Sequence, residues 1–310
     1  MVSMKAIALQ KYGQDLELVD HPEPKVAPGE VLIRVKAAGV NPVDWKVGAG
    51  YLDPIMEVRF PVIPGWDVAG VVEQVGLDVE EFTPGDEVYG YIRKDWVQLG
   101  SYAEFAAAQV RMLARKPASL SWEEAAGLPL AGLTAYQSIK RVGVGAGDTV
   151  LVHAAAGGVG MCAVQIAAAL GARVIGTASE RNHGFVRGLG AEPVTYGDGL
   201  VDRIRGLAPD GVDVALDFVG GDAVEVSRQV LKSPERLASV VEAAAAEADG
   251  HYVWVRPDSA GLTALAELAD QGKLSVTVER ALPLAEAAEA WRLSREGHTR
   301  GKLVLTVGER

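Results

Sequence analysis

The chain is poor in cysteine and histidine. Its 310 residues include one cysteine, Cys162, so no disulfide can form within the chain, which favours a reducing environment. The five histidines are scattered along the sequence without the spacing of metal ligands, and no metal site is predicted. Basic residues are also in deficit, with 30 Lys and Arg against 41 Asp and Glu, a formal net charge of −11. This acidic balance argues against a nucleic-acid or anionic-membrane partner.

Apolar targeting segments are also lacking. The opening residues, MVSMKAIAL, do not contain the long apolar core of a signal peptide. Residues 149–172 carry no Asp, Glu, Lys or Arg, yet they include His153, Gln165 and several glycines. A β-branched start followed by a helical period indicates a strand and a helix rather than a membrane span. We therefore expect a cytoplasmic protein without a membrane segment.

The most informative stretch that is present reads TVLVHAAAGGVG, over residues 149–160. A short apolar strand, a glycine-rich turn and the helical run 161–170 form the arrangement that binds a dinucleotide pyrophosphate. In the usual G-x-G-x-x-G pattern Ala155 takes the place of the first glycine. A tight turn in another kind of α/β protein has the same appearance. The predicted pyrophosphate contacts are Gly157, Gly158, Val159 and Gly160.

The residues after the second strand, 173–177, predict which nicotinamide cofactor is used. An NAD site carries Asp or Glu at this strand end to bind the ribose 2′-hydroxyl. This chain instead has Ser179 and Arg181, a hydroxyl and a guanidinium suited to a 2′-phosphate. NADPH is therefore the predicted cofactor, although Glu180 weakens the preference. Alternatively, Arg181 is only a solvated residue at a helix start.

The pattern of strands, turns and helices expected along the chain predicts an α/β protein of two domains. Up to about residue 120, strands alternate with Gly/Pro turns, which is typical of a partly open barrel. Ser121 and Glu124 form a candidate capping box, and strands and helices then alternate as in a doubly wound parallel sheet. We expect a catalytic domain at 1–121, a dinucleotide-binding domain at 122–273 and a return segment at 274–310. The strands expected in the first domain cover 5–9, 16–19, 29–38, 67–75, 86–91 and 100–106.

Motifs along essentially the whole chain resemble those of the zinc-independent medium-chain reductases of the NADPH:quinone oxidoreductase type. The matching segments are 37–44 (AAGVNPVD), 64–72 (PGWDVAGVV), 84–89 (PGDEVY), 128–137 (LPLAGLTAYQ), 217–221 (DFVGG) and 301–305 (GKLVL). The resemblance implies a GroES-like domain beside a Rossmann domain. Zinc-dependent relatives carry a Cys near Asn41 and a His and Glu at Trp66 and Asp67, so it also implies a protein without zinc. One local departure is the SPER sequence at 233–236, where the family has Pro-Gly-Gly-Arg.

The resemblance implies hydride transfer from NADPH to a quinone or an α,β-unsaturated carbonyl. Asn41 and Tyr51 are the candidate catalytic residues, as donors to the carbonyl oxygen on which charge develops. Asn41 also remains a candidate contact of the nicotinamide, or simply the former of an Asn-Pro turn; Tyr51 is alternatively an aromatic wall of the cleft. The other expected cofactor contacts are Thr134 and Val255 near the nicotinamide, Tyr196 at the adenosine end, and Phe218 and Val219 at a strand end.

Two further expectations concern partners and rival functions. The apolar strand 251–255 (HYVWV) predicts a homodimer, because an exposed strand edge is a liability unless it is paired. One rival function is an enoyl reductase acting on a biosynthetic intermediate. The other is a redox-inactive NADPH-binding protein, since the fold alone does not decide the function.

Overall fold

Residues 3–247 and 249–308 are described by a computed structural model, in which the chain divides into two units. Unit 1 comprises Met1–Leu130, Arg256–Gly272 and Val276–Arg310, and unit 2 comprises Ala131–Val255 and Lys273–Ser275. The strands in chain order are β1 Ser3–Ala8, β2 Glu17–Pro22, β3 Glu30–Val40, β4 Val58–Ile63, β5 Asp67–Val75, β6 Glu87–Tyr91, β7 Val97–Leu99, β8 Phe105–Gln109, β9 Leu113–Arg115, β10 Thr149–Val152, β11 Arg173–Thr177, β12 Ala191–Val194, β13 Val214–Asp217, β14 Leu237–Ser239, β15 His251–Tyr252, β16 Val278–Pro283 and β17 Lys302–Thr306. The α-helices are α1 Pro42–Gly48, α2 Trp122–Gly127, α3 Pro129–Val142, α4 Gly158–Ala169, α5 His183–Gly188, α6 Leu200–Leu207, α7 Ala223–Val230, α8 Ala244–Glu247, α9 Ser259–Asp270 and α10 Ala287–Glu296.

Unit 1 is built on a seven-stranded sheet with the order β16-β17-β3-β5-β6-β9, with β8 pairing beside β3. The long strand β3 is central to this sheet: β5 pairs along its length, β8 pairs with its first half and β17 with its second half. Most side chains of β3 are buried, as expected for a strand covered on both faces. The return strand β17 is therefore an integral part of unit 1.

Unit 2 is a six-stranded parallel sheet in the order β12-β11-β10-β13-β14-β15. The order reverses at β10, the first strand of the unit, which is the topology of a doubly wound fold. Apolar side chains of the strands and of α6 and α7 form its core. The predicted class, a doubly wound parallel sheet together with a strand-rich domain, is confirmed.

Sequence reasoning missed several elements of unit 1. The predicted strand 100–106 is wrong over most of its length, because 100–103 turn back onto the loop at 63–65 and the strand there is β8. Gly100, Ser101 and Tyr102 donate backbone hydrogen bonds to Ile63, Gly65 and Pro64 at 2.8, 2.9 and 3.0 Å. The strands β4, β7 and β9 and the helix α1 were not predicted. In unit 2 the strand expected at 251–255 ends at Tyr252 and is the edge strand of its sheet.

The division into units differs from the predicted boundaries at residues 122–130 and 256–272, which belong to unit 1, and at residues 274–275, which belong to unit 2. Helix α9 packs against β9, and the Tyr89 hydroxyl donates a 2.6 Å hydrogen bond to the carbonyl oxygen of Leu262 in this helix. Helical periodicity identifies such a helix but does not show which sheet it covers. The capping box of α2 is confirmed: Glu124 N donates to Ser121 Oγ at 3.2 Å, and Ser121 N to Glu124 Oε2 at 2.8 Å. Across the described residues, no helix has the length and apolarity needed to cross a bilayer.

Candidate functional site

The glycine-rich turn of unit 2 connects β10 to α4. Ala154 has a φ of +54°, and Gly157 precedes the first residue of the helix. A Cβ atom on Gly160 would lie 2.1 Å from the carbonyl oxygen of Ala154, so only glycine fits there. The first N–H groups of α4, from Gly158 onwards, have no acceptor within the helix. They form a local anion-binding site that fits the pyrophosphate of a dinucleotide.

Ala155, in the place of the first glycine, is accommodated by a glycine elsewhere. Its methyl group lies 2.7 Å from where a Cβ of Gly176 in β11 would be. Thr177, the last residue of β11, binds the other side of the turn. Its Oγ1 accepts from Ala154 N at 3.0 Å, and its carbonyl oxygen accepts from Ala155 N at 2.9 Å. Gly176 and Thr177 thus support the turn, which the glycine pattern alone did not reveal.

Ser179 and Arg181 follow the end of β11. Ser179 precedes a short 3₁₀ turn, and its Oγ accepts a 3.4 Å hydrogen bond from Asn182 Nδ2. The side chain of Arg181 is exposed and, within the part of the chain that the structure describes, its guanidinium has no hydrogen-bond or ion-pair partner. One side chain supplies a neutral hydroxyl donor and the other a cationic guanidinium donor. Together they therefore fit a phosphate at this strand end.

Asp217, at the end of β13, fixes the loop that carries Phe218 and Val219. Its Oδ1 accepts from the N–H groups of Val219 and Gly220 at 2.9 and 2.8 Å, and its Oδ2 accepts from Ser239 Oγ at 2.7 Å. Phe218 is half-buried and Val219 is 57% exposed. The role of Asp217 was missed, although a carboxylate closing an apolar strand before Gly-Gly is a readable signal.

Most of the predicted cofactor contacts gather at one edge of the parallel sheet. The glycine turn follows β10, Ser179 follows β11, the exposed Tyr196 follows β12 and Val219 follows β13. Carboxyl ends of parallel strands share an edge, and this edge is where ligands bind in doubly wound folds. Val255 is half-buried beyond β15, and Thr134 is buried in α3.

His153 is a buried structural group beneath the turn. Its Nε2 lies 3.0 Å from Ser227 Oγ in α7, and burial lowers its pKa to about 4, so the ring is neutral near pH 7. In residues 3–247 and 249–308, no three His, Cys, Asp or Glu side chains are grouped so that they could hold a metal ion.

In unit 1, Asn41 is only 2% exposed and lies immediately before α1. Its Nδ2 donates to Asp67 Oδ2 at 2.8 Å, and its Oδ1 accepts from Lys302 Nζ. Asp67 Oδ1 also accepts from Leu130 N at 2.8 Å. Both ends of the amide are occupied, which does not match the predicted role of Asn41 as a donor to a substrate carbonyl. The buried amide instead connects a cation from β17 to a carboxylate from β5.

Asp44 extends this buried network into α1. Its Oδ2 accepts from Asn41 N at 2.8 Å and from the Tyr102 hydroxyl at 2.9 Å. Burial raises the pKa of Asp44 to about 7 and that of Asp67 to about 6, against the lowering effect of nearby Lys302. One cation thus serves two buried carboxyl groups, and protonation of Asp44 relieves the excess of negative charge.

Tyr51 lies beyond the end of α1 and is 66% exposed. Its backbone N–H donates to the carbonyl oxygen of Lys46 at 3.0 Å, and its ring meets Trp45 edge-on with 6.3 Å between centroids. The hydroxyl is therefore accessible to a bound molecule, unlike the amide of Asn41.

Comparisons with known proteins agree with the fold described above. Residues 27–118 match the family model "Alcohol dehydrogenase GroES-like domain", and residues 189–305 match "Zinc-binding dehydrogenase". The chain is 31% identical over 330 residues to a chloroplast envelope quinone oxidoreductase homolog of Arabidopsis thaliana, covering 97% of this chain and 98% of that protein. It is 34% identical to a mitochondrial NAD(P)H oxidoreductase of Homo sapiens, covering 90% and 82%. The solved quinone oxidoreductase of Coxiella burnetii superposes with a TM-score of 0.86 at 34% identity, covering 99% and 100%.

Proposed function

The chain belongs to the medium-chain dehydrogenase/reductase superfamily, among its quinone oxidoreductases, and from this premise we propose that it reduces quinones or α,β-unsaturated carbonyl compounds with NADPH, without zinc. It is an oxidoreductase with a nicotinamide cofactor. The observation that carries the finer proposal is the anion-binding turn at Gly160 together with the free guanidinium of Arg181.

The choice of NADPH rests on charge at the end of β11. No carboxylate stands at Thr177 or Ser179, where one would repel a 2′-phosphate. Arg181 supplies donors in a fork that matches phosphate geometry, at no cost of breaking an existing ion pair. Glu180 is exposed beside it, so we expect a preference for NADPH rather than exclusive use.

When bound, the cofactor supplies the hydride, and the protein's residues orient the substrate and stabilise the developing charge. We assign the donor role to Tyr51, whose exposed hydroxyl can donate to a carbonyl oxygen as it becomes an enolate or a quinol oxygen. Asn41 becomes a positioning residue: it connects Asp67 and Lys302 at the start of α1, the helix that precedes Tyr51. Thr134 and Val255 keep their proposed places near the nicotinamide, and Tyr196 its place at the adenosine end.

The test is NADPH consumption across a panel of benzoquinones, naphthoquinones, short enones, enoyl thioesters and saturated aldehydes. Turnover of quinones or enones that persists in the presence of a metal chelator supports the proposal. Turnover confined to enoyl thioesters favours an enoyl reductase of a biosynthetic pathway instead. NADPH binding by fluorescence titration with no turnover of any compound identifies a redox-inactive binding protein.

We further propose a cytoplasmic homodimer. Among the described residues, no strand pairs with the outer side of the edge strand β15, and the next residues, to Val255, remain apolar. Light scattering at micromolar concentration should give a dimer for the wild type and monomer or aggregate for Val253→Asp. The cytoplasmic location rests on the single, buried Cys162.

A further inference from the structure

A groove on unit 1 is lined by α1, by α10 and by residues 13–16 and 49–51, and its volume is about 690 Å³. None of the buried network residues, Asn41, Asp44, Asp67 or Lys302, lines it. The volume lies in the range of small-molecule sites, which are usually apolar with a few placed polar groups. Tyr51, the donor proposed above, is one of its lining residues.

The walls of this groove are aromatic. Trp45 and the exposed Tyr51 line it from the α1 side and Trp291 from α10. A Cβ on Gly48 would lie 2.7 Å from the Trp291 ring, so the glycine lets this indole lie directly on α1. Aromatic walls of this kind favour a flat ring over a branched aliphatic group.

One cation of the lining, Arg295, is placed to bind an anion. The guanidinium carbon of Arg295 lies 5.4 Å from the centroid of the Trp45 ring, and Lys46 Nζ lies 5.7 Å from the same ring. Among the described residues, Arg295 forms no ion pair or hydrogen bond. A guanidinium stacked by its face keeps its edge N–H groups free for a carboxylate.

The remaining charged groups at the groove are a cluster around Arg292 and one separate carboxylate. Arg292 binds Glu289 at 2.7 Å and also Glu296, so these three groups form a cluster with one excess negative charge. Asp15 is exposed and, within the described part of the chain, has no such partner. Its charge opposes an anion, so the unpaired edge of Arg295 beside the Trp45 ring decides where a carboxylate binds.

We propose that this groove binds an aromatic carboxylate, with its ring against Trp45 and Trp291 and its carboxylate on the edge of Arg295. Binding at this site requires no nicotinamide, although the site shares Tyr51 with the proposed reduction. Its occupant contacts Tyr51, since that ring lines the same groove.

The probe is 2-naphthoate, titrated calorimetrically into the full chain without nicotinamide, with uncharged 2-naphthol as the matched ligand. Arg295→Gln should weaken 2-naphthoate binding about tenfold and leave 2-naphthol binding unchanged, because one charge-assisted contact is lost. Ala288→Phe, at an exposed α10 position in the lining, should weaken both ligands by filling the groove. Asp15→Asn should tighten 2-naphthoate binding. Arg187→Gln, an exposed arginine of α5, is the control and should change neither.

Several results would overturn the proposal. These are no 2-naphthoate binding at millimolar concentration, equal affinity in wild type and Ala288→Phe, or an equal loss of both ligands in Arg295→Gln. Because the titration contains no NADPH, failure of the reductase assay does not affect this outcome, and the reverse also holds.

Discussion

Replacing Lys302 by methionine should destabilise unit 1 more than any surface lysine substitution. The ammonium group is 4% exposed and contacts the carbonyl oxygen of Val40 and the amide of Asn41, which in turn binds Asp67. Without it, Asp67 remains a buried carboxylate with only N–H donors around it. Removing one partner of a buried charge pair costs about 3–5 kcal/mol, and we expect a loss in the free energy of unfolding of that size at pH 8.

The loss in the free energy of unfolding that Lys302→Met causes should also depend on pH. Lys302 lowers the pKa of Asp67, so removing it raises that pKa above about 6 and lets a proton neutralise the carboxyl group. The destabilisation should therefore be smaller at pH 5 than at pH 8. Asp67→Asn added to Lys302→Met should recover part of the loss at pH 8, because the buried charge of Asp67 is removed.

The assay is urea denaturation of each variant, followed by tryptophan fluorescence and far-UV circular dichroism. Lys232→Met is the control: Lys232 binds Asp213 at 2.9 Å on the surface, and exposed pairs contribute about 0–1 kcal/mol. The reasoning is refuted if Lys302→Met loses no more than the control at pH 8, or if its loss is the same at pH 5.

Three further outcomes follow from the site. Burial raises the pKa of Asp44 from 3.8 to about 7, so its contribution to stability is complete below about pH 4 and is lost as the pH rises through 7. In urea titrations, the free energy of unfolding of the wild type, relative to Asp44→Asn, should therefore fall by up to about 1.4 kcal/mol per pH unit between pH 5 and 7. Arg181→Glu should weaken NADPH binding by about 2 kcal/mol and spare NADH, measured by fluorescence titration; equal wild-type affinities for the two cofactors would contradict the assignment. Tyr51→Phe should lower kcat/KM roughly ten- to a thousandfold with NADPH affinity unchanged, and wild-type turnover would show that the ring is only a wall.

The structural features that the sequence predicts well depend on residues that are close together in the chain. The strand β10, the turn at Gly160 and the helix α4 lie within one short stretch, so their pattern is visible directly. The capping box of α2 is equally local, since its two residues are three apart.

What the sequence could not show depends on distant partners. Lys302 and Asn41 are 261 residues apart and Tyr102 and Asp44 are 58 apart, so no local pattern reveals that these side chains are bonded. Asn41 was therefore interpreted from its motif alone, and its burial changed the role assigned to it. The segment at residue 100 resembles a strand in composition, but the N–H groups of residues 100–102 donate to residues 63–65 rather than along a strand.

The pairing of β17 with β3 has a consequence for synthesis of the protein on the ribosome. The second half of β3, residues 37–40, emerges long before its partner strand, which begins at Lys302. At about 5–20 residues per second, the interval is roughly 13–52 s. During that time unit 1 has an unpaired apolar strand edge and a buried Asp67 without its cation, while all the strands of unit 2 are already available. The nascent chain therefore needs shielding at this edge, and aggregation during synthesis should begin at β3 rather than in unit 2.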